Sequence, residues 1–259
     1  MDWPGRERLL DVMADAGHAW AGVPVPGAGG SLCFTSSDSG YVSAQDGVLY
    51  RSADGGANWT MAHPDPFHSG LFKDLPLWST LACSGSSVWD GLTAIAHEPP
   101  PGEQSYIVFA SPDNGAHWAA AAHNLGRATG VSFPAAPSPF QRLAGIAVMS
   151  PDQALLAGLP QGRWGISVAA IASSGGSQAH VLLSPPLSGK VTPALDPQVP
   201  ASGWLTMHGI TASGDTGWLY LDDGALGSLN KPVARTLLYR TTDDGKSWSL
   251  IQQQPSSGG

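Results

Sequence analysis

Basic residues are scarce in this chain of 259 residues, with 12 Lys and Arg against 20 Asp and Glu and a formal net charge of −8. There is no basic cluster and no basic amphipathic helix, so nucleic acid and anionic membrane surfaces are not expected partners. No apolar run is long enough for a spanning helix. The first nineteen residues include Arg6 and Arg8 and do not match a secretory signal.

Cysteine is rarer still, and the two residues present are Cys33 and Cys83. A pair of isolated cysteines favours buried thiols, with a disulfide between neighbouring inner strands as the alternative, so the compartment stays open. Glycine, proline and tryptophan are abundant, at 33, 22 and 10 residues. With a hydrophobic content of 42%, the composition indicates a folded, all-β, loop-rich protein.

One pattern, [ST]-x-D-x-G-x-x-W, occurs three times, each time after a short strand-like segment. The Asp and the Ser or Thr can accept hydrogen bonds from backbone N–H groups of their own turn, the Gly permits a positive φ, and the Trp buries a large ring. The pattern therefore predicts a β-hairpin with a self-bonded turn. Its residues are Ser52, Asp54, Gly56 and Trp59; Ser111, Asp113, Gly115 and Trp118; and Thr241, Asp243, Gly245 and Trp248.

These segments resemble Asp boxes, the BNR repeats of sialidases and other β-propellers. In that family the box joins the third and fourth strands of a blade, at the rim and away from the active face. The segment 172–179 is interpreted as a degenerate copy in register, and 13–20 as a further one. The predicted fold is an all-β Asp-box propeller with four full four-stranded blades, at 31–62, 81–123, 143–183 and 204–252, a half blade at 9–25, and a polar tail at 253–259.

The number of blades leaves two interpretations open. Asp-box propellers generally have six or more blades, so the chain is interpreted as the C-terminal part of a larger propeller. The alternative is that 15–20 is not a box and four blades close as a small ring. In either case the resemblance implies that function lies in the connections opposite the boxes, here 63–80, 98–104, 124–142, 159–164, 184–203 and 222–235.

One of these connections carries a candidate metal site. His63, Asp65 and His68 are competent ligands for zinc or a similar metal, although their spacing is not an established motif. The alternative is a solvated turn, and no cofactor is predicted.

An enzyme of the sialidase type is the second functional hypothesis. Such enzymes use an arginine cluster and a Tyr nucleophile assisted by Glu. Only three Glu are present, and the early Arg-Ile-Pro signature is absent. The candidate acids and bases are Glu98, Glu103, Asp222 and Asp223, where Asp222-Asp223-Gly224 also fits a turn.

The favoured hypothesis is a non-catalytic scaffold that binds a protein or a carbohydrate through its loop face. Exposed Trp rings suit sugar stacking and protein hot spots, with core packing as the alternative. By analogy with the family, an extracellular or cell-envelope location is expected. The candidate ligand-binding residues are Trp78, Trp164, Trp204, Arg142, Arg163 and Arg235.

Overall fold

The fold consists of antiparallel β-strands, and no helix occurs among the described residues. A computed structural model describes residues 9–13, 20–26, 31–44, 47–62, 77–94, 105–124, 140–160, 166–175, 177–183, 203–225 and 233–255. Strands β1 (Leu9–Met13) and β2 (Trp20–Pro24) pair as a two-stranded sheet, with Met13 opposite Trp20. The half blade predicted near the start is therefore a strand pair.

Four four-stranded sheets follow, and each is a meander in which neighbouring strands are consecutive in the chain. This is the architecture of propeller blades, as the sequence predicts. The blades are blade 1, with β3 (Ser31–Phe34), β4 (Gly40–Ser43), β5 (Leu49–Ser52) and β6 (Thr60–Met61); blade 2, with β7 (Leu77–Ser84), β8 (Ser87–Ala94), β9 (Ser105–Ser111) and β10 (Ala119–Asn124); blade 3, with β11 (Phe140–Ser150), β12 (Gln153–Pro160), β13 (Ile166–Ala172) and β14 (Ser177–Leu183); and blade 4, with β15 (Gly203–Ser213), β16 (Thr216–Ala225), β17 (Val233–Thr241) and β18 (Ser249–Pro255).

The first strands of the four blades lie side by side in chain order: β3 contacts β7, β7 contacts β11, and β11 contacts β15. Between consecutive blades the facing side chains form three apolar cores. The largest fully buried side chain, Trp89, belongs to the core between blades 2 and 3. Burial between successive sheets thus holds the blades together, as expected for a repeat architecture.

A disulfide joins the first strands of blades 1 and 2, between Cys33 and Cys83, whose Cα atoms are 5.7 Å apart. The prediction of two buried thiols is therefore wrong. The two cysteines are 50 residues apart in the chain, but both point into the same interblade core because β3 and β7 are neighbours. Only the sheet-to-sheet arrangement brings them within bonding distance.

Blade 4 is longer than the sequence predicts. Strand β16 continues through Asp222, Asp223 and Gly224 to Ala225, and β17 already begins at Val233. The Asp222-Asp223-Gly224 turn is therefore a wrong prediction, because these residues pair with β17 along an unbroken ladder. The last strand also extends past 252 to Pro255, so the predicted polar tail begins too early.

Candidate functional site

The three D-x-G-x-x-W turns are closed by one shared set of hydrogen bonds. In the first turn, the Ser52 hydroxyl donates to Asp54 Oδ1 at 2.8 Å and accepts from the Gly56 N–H at 2.8 Å. Asp54 accepts from the Asn58 N–H at 2.9 Å and from the Asn58 side-chain amide at 2.7 Å. The turns after β9 and β17 repeat the pattern, with hydroxyl-to-carboxylate distances of 2.9 and 2.8 Å. The self-bonded hairpin turn predicted from the sequence is present in all three places.

These hydrogen bonds keep the turn carboxylates ionised. The side-chain hydrogen bond from Asn58 lowers the pKa of Asp54 below its ordinary value. The corresponding bonds from His117 and Ser247 lower the pKa of Asp113 and of Asp243 to about 2. A carboxylate that accepts several hydrogen bonds in its own turn holds the turn together and does not act as an acid near neutral pH.

The turn between β13 and β14 is of a different kind. Ile171 pairs with Ser177, six positions later, whereas Arg51 in the first turn pairs with Thr60, nine positions later. The shorter turn closes with a hydrogen bond of 2.9 Å from the Gly175 N–H to the carbonyl of the last β13 residue. The interpretation of 172–179 as a degenerate copy in register is therefore wrong, because strand pairing continues after a bulge to Ile171 and Ser177 and leaves five residues unpaired, where the first D-x-G-x-x-W turn leaves eight.

Both sets of short turns lie at one end of the blades, which we name the turn end. In every blade a backbone hydrogen bond joins the turn between strands three and four to the turn between strands one and two. The turn end is also tied from blade to blade, because the Asn114 carbonyl accepts from the Tyr41 hydroxyl at 2.6 Å. The backbone pairs are Gly55 to Asp38, Asn114 to Ser86, Ser173 to Asp152 and Asp244 to Asp215, with N–O distances of 2.9, 2.6, 2.8 and 3.1 Å.

The opposite end of the blades, which we name the loop end, contains several predicted site residues, whose backbone positions the structure describes. Five of them lie at the loop ends of strands, with side chains outside the described part of the chain: Trp78 in β7, Arg142 in β11, Trp204 in β15, Asp223 in β16 and Arg235 in β17. Seven others lie wholly outside the described residues: His63, Asp65, His68, Glu98, Glu103, Arg163 and Trp164. Asp222 is the predicted residue whose side-chain contacts the structure describes.

Asp222 belongs to a hydrogen-bonded cluster on blade 4. Its Oδ2 lies 2.7 Å from His208 Nε2, and its Oδ1 accepts from the Thr236 hydroxyl at 2.9 Å. The His208 ring packs against Tyr220, with ring centroids 5.1 Å apart and planes inclined by 46°. Strand β15 bulges at His208, between Met207 and Gly209, so the bulge aims the imidazole at its partners. The cluster is open to solvent, since Tyr220 is 42% exposed.

A second ionisable side chain, Asp90 of β8, is buried between blades 1 and 2 with 3% of its surface exposed. Burial raises the pKa of Asp90 to about 7, and the neighbouring Ser43 hydroxyl opposes this shift. Asp90 Oδ1 and Ser43 Oγ have no hydrogen-bond partner among the described residues. A carboxyl group with these properties is a proton-binding site within the range of physiological pH.

The first strands of blades 2, 3 and 4 surround a cavity of about 220 Å³ near the turn end. It is lined by residues 82–84, 146–148 and 210–212, whose polar side chains are the hydroxyls of Ser84 and Thr211. This cavity offers a bound molecule neither an acid nor a base. Among the described residues, no group of three or more His, Cys, Asp or Glu is placed to hold a metal ion. A helix long and apolar enough to cross a membrane is likewise absent from them.

Asp90 and the His208 cluster were not predicted as sites, but the sequence contains a signal for the first. The second strands align at the residue two positions after the carbonyl that accepts the backbone hydrogen bond from the turn between strands three and four, as 40–43, 88–91, 154–157 and 217–220. The third column of this alignment then reads Val42, Asp90, Leu156 and Leu219. An acid in a column of buried aliphatic residues is the detectable anomaly. The His208 contacts depend on a bulge, which has no comparable signature.

No protein-family model and no curated protein matches this chain. Among solved structures, the chain is similar to YCF48 from Cyanidioschyzon merolae, at 14% identity over 88% of this chain and 87% of that chain, with a TM-score of 0.41. It is similar to the GH74 xyloglucanase from Xanthomonas campestris, at 16% identity over 91% of this chain and 33% of that chain, with a TM-score of 0.49. It is also similar to the α-L-arabinanase from Cellvibrio cellulosa, at 12% identity, 87% and 73% coverage and a TM-score of 0.41. These proteins are β-propellers, and likenesses this weak carry no argument about substrate or partner.

Proposed function

We propose that this chain is a non-catalytic, sialidase-like propeller of the Asp-box type that binds a protein or carbohydrate ligand at its loop end. The observation that carries the proposal is the contrast between the two ends of the blades. At the turn end, strands one and two are joined by two residues in blades 2, 3 and 4, at 85–86, 151–152 and 214–215. At the loop end, the connections 62–76, 95–104, 125–139 and 184–202 are long.

The turn end is occupied by its own hydrogen bonds. In the three D-x-G-x-x-W turns the Ser or Thr hydroxyl, the Asp carboxylate and the Gly N–H are paired with one another, and the Asn114 side-chain oxygen also accepts from the Thr35 hydroxyl of blade 1 at 3.0 Å. Polar groups that already have intramolecular partners gain little from a ligand. Long connections held by a rigid scaffold are where binding residues usually lie.

A disulfide between blades supports an extracellular or cell-envelope location. Disulfides form and persist in oxidising compartments, and the Cys33–Cys83 bond lies within an interblade core. We therefore expect the ligand to be one that is present outside the cytosol.

The test is a binding screen with defined probes, namely an immobilised panel of neutral and sialylated oligosaccharides and a phage-displayed peptide library. Each probe that binds is then measured by calorimetry against Trp164→Ala, at the loop end, and Lys246→Ala, an exposed change at the turn end. The proposal expects at least one probe to lose about tenfold or more of its affinity in the first variant, and no probe to lose affinity in the second. Equal losses, or probes that respond only to the turn-end variant, would contradict it.

The same preparation tests the hydrolase hypothesis. Turnover of a fluorogenic sialoside that disappears in Glu98→Gln or Glu103→Gln would replace the binding scaffold with a glycosidase. Turnover that persists in both variants would instead point to a contaminating enzyme.

A further inference from the structure

Blade 4 differs from the other blades at one aligned position of the second strands. This is the position that follows Val42, Asp90, Leu156 and Leu219. Blades 1, 2 and 3 have Ser43, Gly91 and Ala157 there, and all three are buried under the next blade. A Cβ atom added to Gly91 would lie 2.6 Å from Leu143 Cδ2 and 3.0 Å from Ile146 Cδ1. Where a blade covers its predecessor, the first strand of the covering blade thus leaves room only for a small side chain.

Blade 4 has Tyr220 at this position, and this residue is 42% exposed. Two further positions change in the same direction. Asp222 of blade 4 corresponds to Leu159 of blade 3, which packs into the core between blades 3 and 4. Thr236 corresponds to Ile166, a fully buried residue of that core. At these three positions the face of blade 4 turned away from blade 3, which we name the outer face, has Tyr220, Asp222 and Thr236 in place of the small and apolar residues by which one blade covers another.

The face of blade 1 turned away from blade 2 differs from this outer face. It exposes Leu32 and Phe34 in strand one, at 38% and 37%. Leu32 corresponds to Ile146 and Ile210, each of which packs against the preceding blade. Blade 1 thus retains the apolar residues of a blade-to-blade surface, whereas the outer face of blade 4 has polar residues, Asp222 and Thr236, at two of the three positions compared above. The polar residues at these positions of the outer face therefore distinguish blade 4 from blade 1.

The groups on the outer face are held in one arrangement before any ligand arrives. Thr236 and His208 bind the two oxygens of Asp222, and the His208 ring packs on Tyr220 with the two planes inclined by 46°. The side chains of His208 and Asp222 remain 42% and 34% exposed, so their remaining hydrogen-bonding capacity faces solvent. A sugar ring has apolar C–H groups on its face and polar O–H groups around it. The exposed aromatic ring suits the C–H groups, and the fixed carboxylate, imidazole and hydroxyl groups suit the O–H groups.

We propose that the outer face of blade 4 is a carbohydrate-binding surface, in which Tyr220 stacks on a sugar ring while Asp222 and His208 hydrogen-bond its hydroxyl groups. The ligand class is a neutral oligosaccharide, because the Asp222 carboxylate would repel an acidic sugar. This site lies on the broad face of blade 4, and its proposal does not depend on the function proposed for the loop end. A protein that covers the same face is the competing occupant, and the test separates the two.

The probes are cellohexaose, β-1,4-xylohexaose and 1,5-α-L-arabinohexaose, with 3′-sialyllactose as the acidic counterpart, each titrated to millimolar concentration by calorimetry. We expect at least one neutral probe to bind, Tyr220→Ala to weaken it about tenfold or more, and Tyr220→Phe to restore most of the affinity because the ring is kept. Asp222→Asn should weaken the same probe. Lys246→Ala should leave it unchanged, and circular dichroism verifies that every variant is folded.

Three outcomes would overturn the proposal. In the first, no neutral probe binds the folded wild-type chain. In the second, a probe binds with equal affinity to wild type and Tyr220→Ala; if that affinity falls in Trp164→Ala, the loop-end function stands while this inference fails. In the third, light scattering shows self-association that Tyr220→Ala abolishes, which would identify the outer face as a protein contact.

Discussion

Replacing Asp90 with asparagine should change the pH dependence of stability. The free energy of unfolding of the variant, minus that of wild type, should be larger in alkaline solution than in acid. The pKa of the buried carboxyl group is raised from 3.8 to about 7, so the folded state retains a proton that the unfolded chain releases between these values. The stabilisation is complete below pH 3.8, falls as pH rises, and is lost above pH 7. At about 1.4 kcal/mol per pH unit, the full loss is about 4 kcal/mol, of which about 3 kcal/mol falls between pH 5 and pH 8.

Urea unfolding followed by tryptophan fluorescence at pH 5 and pH 8 measures this effect. Asp90→Asn keeps the size of the side chain and removes its ionisation. Asp90→Leu introduces the residue found at the same position in blades 3 and 4 and serves as the second variant. The free energy of unfolding of both variants, minus that of wild type, should rise by about 3 kcal/mol from pH 5 to pH 8. Parallel pH profiles for wild type and both variants would refute the assignment of a raised pKa to Asp90.

Three further changes test the packing of the fold. Replacing both Cys33 and Cys83 with serine should cost about 4 kcal/mol by the chain-entropy relation for a 50-residue separation, and wild type with a reducing agent should show the same loss in urea unfolding. Ser111→Ala should cost about 1–3 kcal/mol, because it leaves a turn N–H without its acceptor, and a cost near zero would contradict the self-bonded turn. Gly91→Ala should cost about 1–3 kcal/mol by overpacking against blade 3, whereas Gly209→Ala meets no atom within 4 Å and is the matched control in thermal unfolding.

The repeated turns could be predicted from the sequence because their chemistry is local. Ser52, Asp54 and Gly56 form the turn from within six positions of one another, so the pattern itself carries the structure. Strand alternation between turns then defines the blades. The same reasoning fails for the β13–β14 turn, where glycines alone suggested a copy that the strand pairing shows to be shorter.

Long-range features could not be predicted in the same way. The pairing of Cys33 with Cys83 requires β3 and β7 to be neighbours, which is a property of the assembled blades. The His208–Asp222 contact requires both a bulge in β15 and the continuation of β16 through Asp222. The turn predicted at Asp222 is wrong because two adjacent acids before a glycine are also typical of turns, and the role of Asp222 as an acid or base stays a prediction.

The two ends of the blades are proposed to have separate roles, with structure at the turn end and binding at the loop end. Hydrogen–deuterium exchange of the chain with and without the tightest-binding probe from the oligosaccharide and peptide screen tests this division most directly. The account predicts new protection in the connections 62–76, 95–104, 125–139 or 184–202 and unchanged exchange in the three D-x-G-x-x-W turns. Protection confined to those turns would contradict it.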